Sequence, residues 1–462
     1  MDLNEKCAVF GVYGTGLDVS RLSFFGLFAL QHRGQESSGI ATTDGEKIYC
    51  HKGMGLVPQV FNEEIIKSLP GYIAVGHNRY STSKGSIFKY AQPVEEKDFV
   101  LVHNGNLPSV KALQDLLKSD ADVDEKCSDS ILMAKSVQHF VDLGMNLPDA
   151  VEKAYPFWTG AFSVLIMGKR ELIAVRDYSG MRPFAMGTLN GAYVFASETC
   201  AFSGMEAKFL KAVPQGGMIV VDEKGVREKQ LREAVPKLDV FEFVYFSRPD
   251  STLLGQSVNE VRRRFGEELA KEFHPDVDVV VPVPETAIPV AIGYSQKSGI
   301  PFDMALVKNR YIHRTFIQPE QHLRDAGVKM KLVPLPQALS GKRVIVMDDS
   351  IVRGTTSRQI VKAIFEAGAK EVHFVVSSPP IRYPDFYGID TPLQKDLIAA
   401  NKTKEQIREY LGATSLHYLS YSGMIKAVGV PEELLSTSCF TGIYPIDIHE
   451  RAKDITKLDE MI

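Results

Sequence analysis

The sequence predicts two unlike halves: an α+β amino-terminal part, then an α/β part built on a parallel sheet flanked by helices. Three observations carry this. The first half mixes short strands and amphipathic helices without regular alternation. The second alternates helix and strand, which argues for a parallel sheet with covering helices. Between them runs a polar, charged stretch from Asp222 to Asp239, the best candidate for an inter-domain connection. At roughly 100–200 residues per domain, a chain of 462 residues holds two to four domains.

Taken in order, residues 7–13, 39–43, 73–76 and 100–103 read as strands. Residues 21–31, 109–118 and 130–143 place apolar side chains at three- and four-residue spacing and read as helices. Further strands are expected over 161–167, 172–176, 193–197 and 218–221. In the second half, 258–273, 286–298 and 356–367 read as helices, and 277–283, 302–307, 343–347 and 372–376 as strands. There is no repeat and no low-complexity segment.

Composition narrows the class. Hydrophobic residues make up 44% and charged residues 24%, which is ordinary for a globular chain with a sizeable core. The net charge is −4, from 53 bases and 57 acids, so no nucleic-acid partner is expected. No apolar run is long enough to span a membrane; the longest, around 277–283, is interrupted by Pro282 and Pro284. The start, Met1 to Lys6, is too polar and short for a signal peptide. Cysteines at 7, 50, 127, 200 and 439 form no CxxC pair, which argues for a reducing cytoplasm and against a disulfide framework.

The most informative stretch is Val344-Ile345-Val346-Met347-Asp348-Asp349-Ser350-Ile351-Val352-Arg353-Gly354-Thr355-Thr356. A buried strand ends in two acids, then a short loop with glycine and hydroxyls leads into a helix. Ligands of open α/β sheets bind beyond the carboxyl ends of strands, and a helix N-terminus offers N–H groups to a phosphate. Paired carboxylates can hold ribose hydroxyls or a Mg²⁺ bridging them. This resembles the 5-phosphoribosyl-1-pyrophosphate (PRPP) signature of the type I phosphoribosyltransferases. Asp348 and Asp349 are the expected ribose and metal residues. Ser350, Ile351, Val352, Arg353, Gly354, Thr355 and Thr356 are expected to cradle the 5′-phosphate. The loop at Val281–Thr286 suits pyrophosphate. A basic, aromatic segment over 308–319, with Lys308, Arg310 and Arg314, reads as a lid that leads on to Arg324, Lys329 and Lys331. Ser247-Arg248-Pro249-Asp250-Ser251 forms a further block near the domain junction.

In the first half, Cys7 opens a strand. Gln31-His32-Arg33-Gly34-Gln35-Glu36 follows a helix, and Gly76-His77-Asn78-Arg79-Tyr80-Ser81-Thr82 and His103-Asn104-Gly105-Asn106-Leu107 end two strands. Ser128-Asp129-Ser130 opens a helix. Together these resemble the class II glutamine amidotransferases, whose nucleophile is an amino-terminal cysteine, and imply an amino-terminal-nucleophile (Ntn) hydrolase fold with stacked sheets between helices. A thiol attacks the glutamine carboxamide, with its own α-amino group as general base. The resemblance assigns the oxyanion donors to the Asn104 side chain and the Gly105 N–H, the α-carboxylate clamp to Arg79 and the α-ammonium partner to Asp129. That base exists only if residues 1–6 are removed, so the leader reads as a propeptide.

Both signatures in this order resemble the glutamine PRPP amidotransferase family, over about residues 7–448. The resemblance implies domains at 7–230 (glutaminase) and 231–462 (phosphoribosyltransferase). It implies a pentosyl transfer in which PRPP, glutamine and water give 5-phosphoribosylamine, glutamate and pyrophosphate, the first committed step of de novo purine synthesis. It also implies Mg²⁺, a homo-oligomer (a homotetramer by resemblance) and inhibition by purine nucleotides. The chain departs from the family at four places: Ala8 replaces a glycine, Ile131 an acid, Ala287 a metal-coordinating serine and His313 a lid glycine. One branch carries a [4Fe–4S] cluster on four thiolates. Asp239 and Asp385 stand where two would be expected and Cys439 has no cysteine near it in sequence, so no cluster is expected, with both acids solvated or paired to bases. Two other readings are a glutaminase fused to a sugar-phosphate isomerase, as in glucosamine-6-phosphate synthase, and a non-catalytic PRPP or nucleotide sensor. The Asp348-Asp349 block argues against the first. The set Cys7, Arg79, Asn104 and Asp129 argues against the second.

Overall fold

Alternation along the first strand sets the layering of the amino-terminal half. Successive side chains of a strand point to opposite faces, and in Ala8–Tyr13 (β1) Ala8, Phe10 and Val12 join one core while Val9 joins another. The computed structural model describes residues 7–80, 88–118, 120, 123, 127–309, 332–387 and 393–456. After β1 come helix α1 (Val19–Ala29) and strands β2 (Ser37–Thr43), β3 (Ile48–Met54), β4 (Ile73–Arg79), β5 (Val94–Glu95) and β6 (Val100–Asn106). Helix α2 (Asp129–Asp142) precedes β7 (Ala161–Met167), β8 (Leu172–Arg176), β9 (Ala185–Leu189), β10 (Ala192–Ala196), β11 (Lys208–Ala212), β12 (Gly217–Asp222) and β13 (Gly225–Gln230).

These strands make two antiparallel sheets, ordered β11-β9-β10-β1-β4-β2-β3 and β13-β12-β8-β7-β6-β5. Their facing sides share a core that includes Val9, Val75, Val102, Leu165 and Ile219. Helix α1 covers the outside of the first sheet through Val19 and Leu27; Asp18 caps it by accepting from the Arg21 N–H. Helix α2 covers the second through Leu132, Met133 and Val137, with Ser128 as its cap. The result is the expected stack of two sheets between helices.

The second half begins with β14 (Leu238–Asp239), followed by a π-helical turn over Glu242–Phe246. Helices α3 (Val258–Glu272), α4 (Ile288–Ser298) and α5 (Thr355–Glu366) accompany strands β15 (Val279–Pro282), β16 (Arg343–Asp348), β17 (Glu371–Val376) and β18 (Ser415–Tyr418). These four strands form an all-parallel sheet in chain order. Such a sheet is buried on both faces, so its strands are continuously apolar. One face packs on Phe265, Val290 and Tyr294, the other on Ile360, Val361 and Ile364. A last strand, β19 (Leu435–Ser436), pairs in parallel with β14.

Three sequence expectations change. The connection is shorter than 222–239, because β13 pairs with β12 along its whole length and only then does the chain leave the sheet. β13 is a polar edge strand, Gly-Val-Arg-Glu-Lys-Gln, and its charge masked it. Residues 302–307 do not form one strand: Phe302 makes a single bridge to Val280, and Leu306–Lys308 pairs in a separate hairpin with Leu332–Pro334. The helix expected over 109–118 is confined to Lys111–Leu116. Residues 1–6, 81–87 and 310–331, which hold the expected leader, Ser81, Thr82, Arg310, His313, Arg314, Arg324, Lys329 and Lys331, lie outside the described residues.

Candidate active sites in the two halves

The residues expected to handle glutamine converge. Ala8 lies opposite Asn78 in the β1–β4 pairing, so Cys7 and Arg79, one residue further out on each strand, come to the same end of the first sheet. The end of β6 brings Asn104 and Gly105 from the second sheet, and the first turn of α2 brings Asp129. All five line one cavity of about 230 Å³, together with Tyr80, Tyr90, Gln92, His103, Ser130 and Arg451.

Each side chain is held. Arg79 is buried; it donates to Glu36 at 2.7 Å and lies over the Tyr90 ring at 5.6 Å. Asp129 accepts from its neighbour Ser130 N–H at 2.8 Å and from the Leu107 N–H at 3.3 Å. It is not the helix cap, a role that Ser128 takes. Asn104 Nδ2 donates to Ser197 Oγ at 3.3 Å, and the same oxygen accepts from the Val9 N–H at 2.9 Å. Behind them, burial pushes the His103 and His77 imidazoles down, His77 to about 3, so neither is a ready proton carrier. Ile131, where an acid was expected, lies partly buried against the α2 core.

Gly105 has φ +148°, a region L side chains rarely adopt, and a Cβ there would stand 2.0 Å from the Ala161 carbonyl oxygen. Gly105→Ala is therefore expected to force β6 from β7 and to cost about 1–3 kcal/mol in strain alone. A denaturant midpoint checks this; an unchanged midpoint contradicts it.

Under the pocket lies a buried ionic cluster. Arg33 Nε donates to the Cys7 carbonyl oxygen at 3.3 Å. Its Nη1 donates to Glu198 at 2.5 Å and to Glu242 at 3.0 Å, and its Nη2 to Glu242 at 2.8 Å. Glu198 also accepts from His32, Ser251 and the Arg248 N–H. His32, Glu198 and Cys200 bring potential ligand atoms within 4.8 Å of one another. That trio does not suit Mg²⁺, which takes oxygen ligands: Glu198 is already neutralised by Arg33, and burial pushes the Cys200 thiol up.

In the second half, β16 ends on Asp348, and Asp348 and Asp349 are 3% and 1% exposed. Asp348 accepts from the Asp349 N–H at 2.9 Å, and Asp349 accepts from Ser350 Oγ at 2.9 Å. Burial raises the Asp348 carboxyl to about 6; burial and the Asp348 charge raise Asp349 well above the ordinary range. Two buried acids side by side are costly unless something cationic joins them. Ile351 and Val352 point into the core, while Arg353 and Thr355 are exposed. Gly354 caps α5 with φ +77°, and Thr355 and Thr356 open its first turn. Ala287 is buried and has no oxygen to offer a metal beyond its backbone. Lys308 closes its hairpin strand.

Asp239 and Asp385, the two acids expected in place of cluster thiolates, do come together with Cys439, buried rather than solvated, and Asp239 is paired to a base as the alternative expectation had it. Asp239 and Asp385 are 3% and 6% exposed, and Asp239 pairs with Arg182 at 3.3 Å. Burial, reinforced by the Asp385 charge and opposed by Arg182, pushes Asp239 up to about 8. Burial and these two acids push the Cys439 thiol well up. A site that disfavours a thiolate does not fit an iron–sulfur cluster.

Arg451, Glu198 and Glu242 carry no local sequence signal for the places they occupy. Arg451 belongs to a short helical segment, His449–Asp454, at the far end of the chain, with no motif around it. Glu198 sits 165 residues from Arg33 and Glu242 sits 209, so no local pattern links them.

Comparison with known proteins agrees with this division. A glutamine amidotransferase domain model matches residues 77–204, and a phosphoribosyl transferase domain model matches 255–383. An amidophosphoribosyltransferase of Synechococcus elongatus is 46% identical over 97% of this chain and 93% of its own length. One of Bacillus subtilis is 41% identical over 97% and 96%. The solved structure of the B. subtilis glutamine PRPP amidotransferase, complexed with ADP and GMP, matches with a TM-score of 0.89 at 40% identity, covering 96% of this chain and 98% of that one. Identity at this level across nearly the whole chain means that the chain belongs to the amidophosphoribosyltransferase family.

Proposed function

We propose that this chain hydrolyses glutamine at Cys7 and passes the ammonia to PRPP, giving 5-phosphoribosylamine, glutamate and pyrophosphate. The observation that carries the reading is the convergence of Cys7, Arg79, Asn104, Gly105 and Asp129 on one cavity, in a chain whose other half ends a buried parallel strand on Asp348-Asp349. Arg79 takes the glutamine α-carboxylate, exchanging its contact with Glu36, and Asp129 takes the α-ammonium. The Cys7 thiol attacks the carboxamide carbon while the freed Cys7 amine takes the thiol proton. Asn104 Nδ2 and the Gly105 N–H receive the oxyanion. Collapse of the adduct releases ammonia and leaves a thioester, which water opens to glutamate. Ammonia then attacks C1 of PRPP and pyrophosphate leaves.

Asp348 and Asp349 hold the ribose hydroxyls, directly or through Mg²⁺; the Ser350–Thr356 loop holds the 5′-phosphate. When bound, the ion neutralises charge on the leaving pyrophosphate. Lys308, Arg310 and Arg314 are assigned to PRPP binding by the resemblance and by their charge. Residues 1–6 are a propeptide, and the domains run over 7–230 and 231–462, a division supported by the end of β13 at Gln230. The ADP and GMP in the B. subtilis structure support purine nucleotides as inhibitors; a homo-oligomer, a homotetramer, rests on the resemblance alone. No described helix is long and apolar enough to cross a membrane. A cytoplasmic site is proposed on the five dispersed cysteines.

Glutamine-dependent release of pyrophosphate from PRPP tests the whole reading. Glutamate formation without pyrophosphate release points to a different acceptor, and neither product points to a sensor. A second measurement concerns iron. The protein purified without air is expected to contain no cluster, because Asp239, Asp385 and a thiol held protonated occupy its place. About four irons per chain with broad visible absorption, lost in air together with activity, contradicts this.

A further inference from the structure

We propose that Glu242, in the second half of the chain, is a positioning residue for the nucleophile in the first. It does so by fixing the Arg33 guanidinium, which holds the Cys7 carbonyl. The inference rests on the reading of Cys7 as nucleophile.

Arg33 is fully buried, and its Nε contact at 3.3 Å falls on the backbone of the reacting residue itself. The orientation of that carbonyl fixes the Cys7 peptide plane, and with it the directions open to the thiol and the α-amino group. A planar guanidinium transmits orientation only if something fixes its own plane. Glu198 takes one η nitrogen and divides itself among several donors. Among the described residues, Glu242 makes the two-point contact, with oxygens 3.0 and 2.8 Å from the two η nitrogens. Such a fork sets geometry as well as charge.

Glu242 is itself over-determined. One oxygen accepts from Ser247 Oγ at 2.7 Å, and the other also faces Arg182 Nη1 at 3.3 Å. Arg182 is anchored on the Tyr387 carbonyl oxygen. The turn carrying Glu242 is gripped by a third buried base: Arg262 donates to the carbonyls of Phe243 at 2.9 Å and Ser247 at 2.8 Å. Burial pushes the Glu242 carboxyl up, but the adjoining Arg33 outweighs it and holds the group below its usual range. The rigid turn, the fork and the Cys7 carbonyl form a continuous strut from the second half of the chain to the nucleophile.

The test uses the full chain with Glu242→Gln, which keeps size and the acceptor for Ser247 but loses the charge and one acceptor for Arg33. Misplacement of a reacting group is the expected defect, so kcat for glutamine-dependent pyrophosphate release should fall about tenfold or more. The glutamine KM, set by Arg79 and Asp129, and the ammonia-dependent rate should each stay within about twofold. Arg33→Lys keeps the charge and removes the fork; it should give the same split, and it decides alone if Glu242→Gln fails to fold. Wild-type glutamine-dependent kcat in both variants overturns the inference, as does a parallel fall of glutamine- and ammonia-dependent rates, which marks a purely structural role. Cys7→Ala serves as control. If that variant still uses glutamine, the reading of Cys7 fails. If it does not, while Glu242→Gln and Arg33→Lys behave as wild type, only the strut fails.

Discussion

Cys7→Ala is expected to abolish glutamine use while ammonia still supports 5-phosphoribosylamine formation. Removing a covalent nucleophile costs on the order of 10⁴–10⁶ in kcat when the remaining groups cannot substitute for it. Among the described residues lining the cavity, the other thiol, Cys127, lies among the apolar side chains that pack on α2, and burial lowers the His103 imidazole. The ammonia-dependent rate should survive because every residue assigned to PRPP, from Asp348 to Thr356 with Lys308, Arg310 and Arg314, belongs to the second half of the chain. Glutamine-dependent turnover near the wild-type rate in this variant would mean that Cys7 is not the nucleophile. The same assignment requires a free α-amino group on Cys7. Intact-mass analysis of active protein should therefore show loss of Met1 to Lys6; fully active protein that retains Met1 rules out the amine as base.

Asp349→Asn is expected to damage both reactions. Glutamine- and ammonia-dependent synthesis should fall together, by roughly 10²–10³ if the carboxylate acts as a preorganised electrostatic contact. The glutaminase half should remain folded, since Asp349 lies in the other core and contacts Ser350 within its own loop. The substitution also removes one of two adjacent buried acids, which relieves repulsion with Asp348. Stability should therefore hold or rise while activity falls, which separates a functional loss from an unfolded protein. An unchanged dependence of rate on PRPP concentration would sink the assignment.

The parts of the fold legible in the sequence are those whose physics is local. β16 and its loop are readable because a central parallel strand is apolar on both faces, and because the acids, the glycine and the hydroxyls follow within a few residues. Cys7, Arg79, Asn104, Gly105 and Asp129 are readable because each sits at the end of a strand or the start of a helix, where motifs are contiguous. Edge strands were harder. β3, β11 and β13 lie at sheet edges with exposed or half-exposed side chains, so little hydrophobic alternation marks them. The ionic cluster was invisible for another reason. A buried arginine reads like a surface one until its carboxylates arrive from distant segments, as Glu198 and Glu242 do for Arg33. Of the two surroundings expected for Asp239 and Asp385, solvent or a base, Asp239 has the base, Arg182, and its burial could not be read because it depends on that distant residue and on the β14–β19 pairing.

Arg451 has a consequence for the modular history of such chains. The last described segment returns to the first half: Arg451 lines the cavity that Cys7 also lines, Asn106 donates to the Phe386 carbonyl at 2.7 Å, and Phe386, Tyr387, Ile446 and Ile448 share a small core with Ala161 and Met181. A break in the gene after Gln230 is thus not a break in the protein. Recombination that swapped only the later segment for another pentosyl-transferring unit would leave the glutaminase without part of its wall. The two halves are bound to change together, and any designed exchange must carry the return crossing with the amino-terminal half.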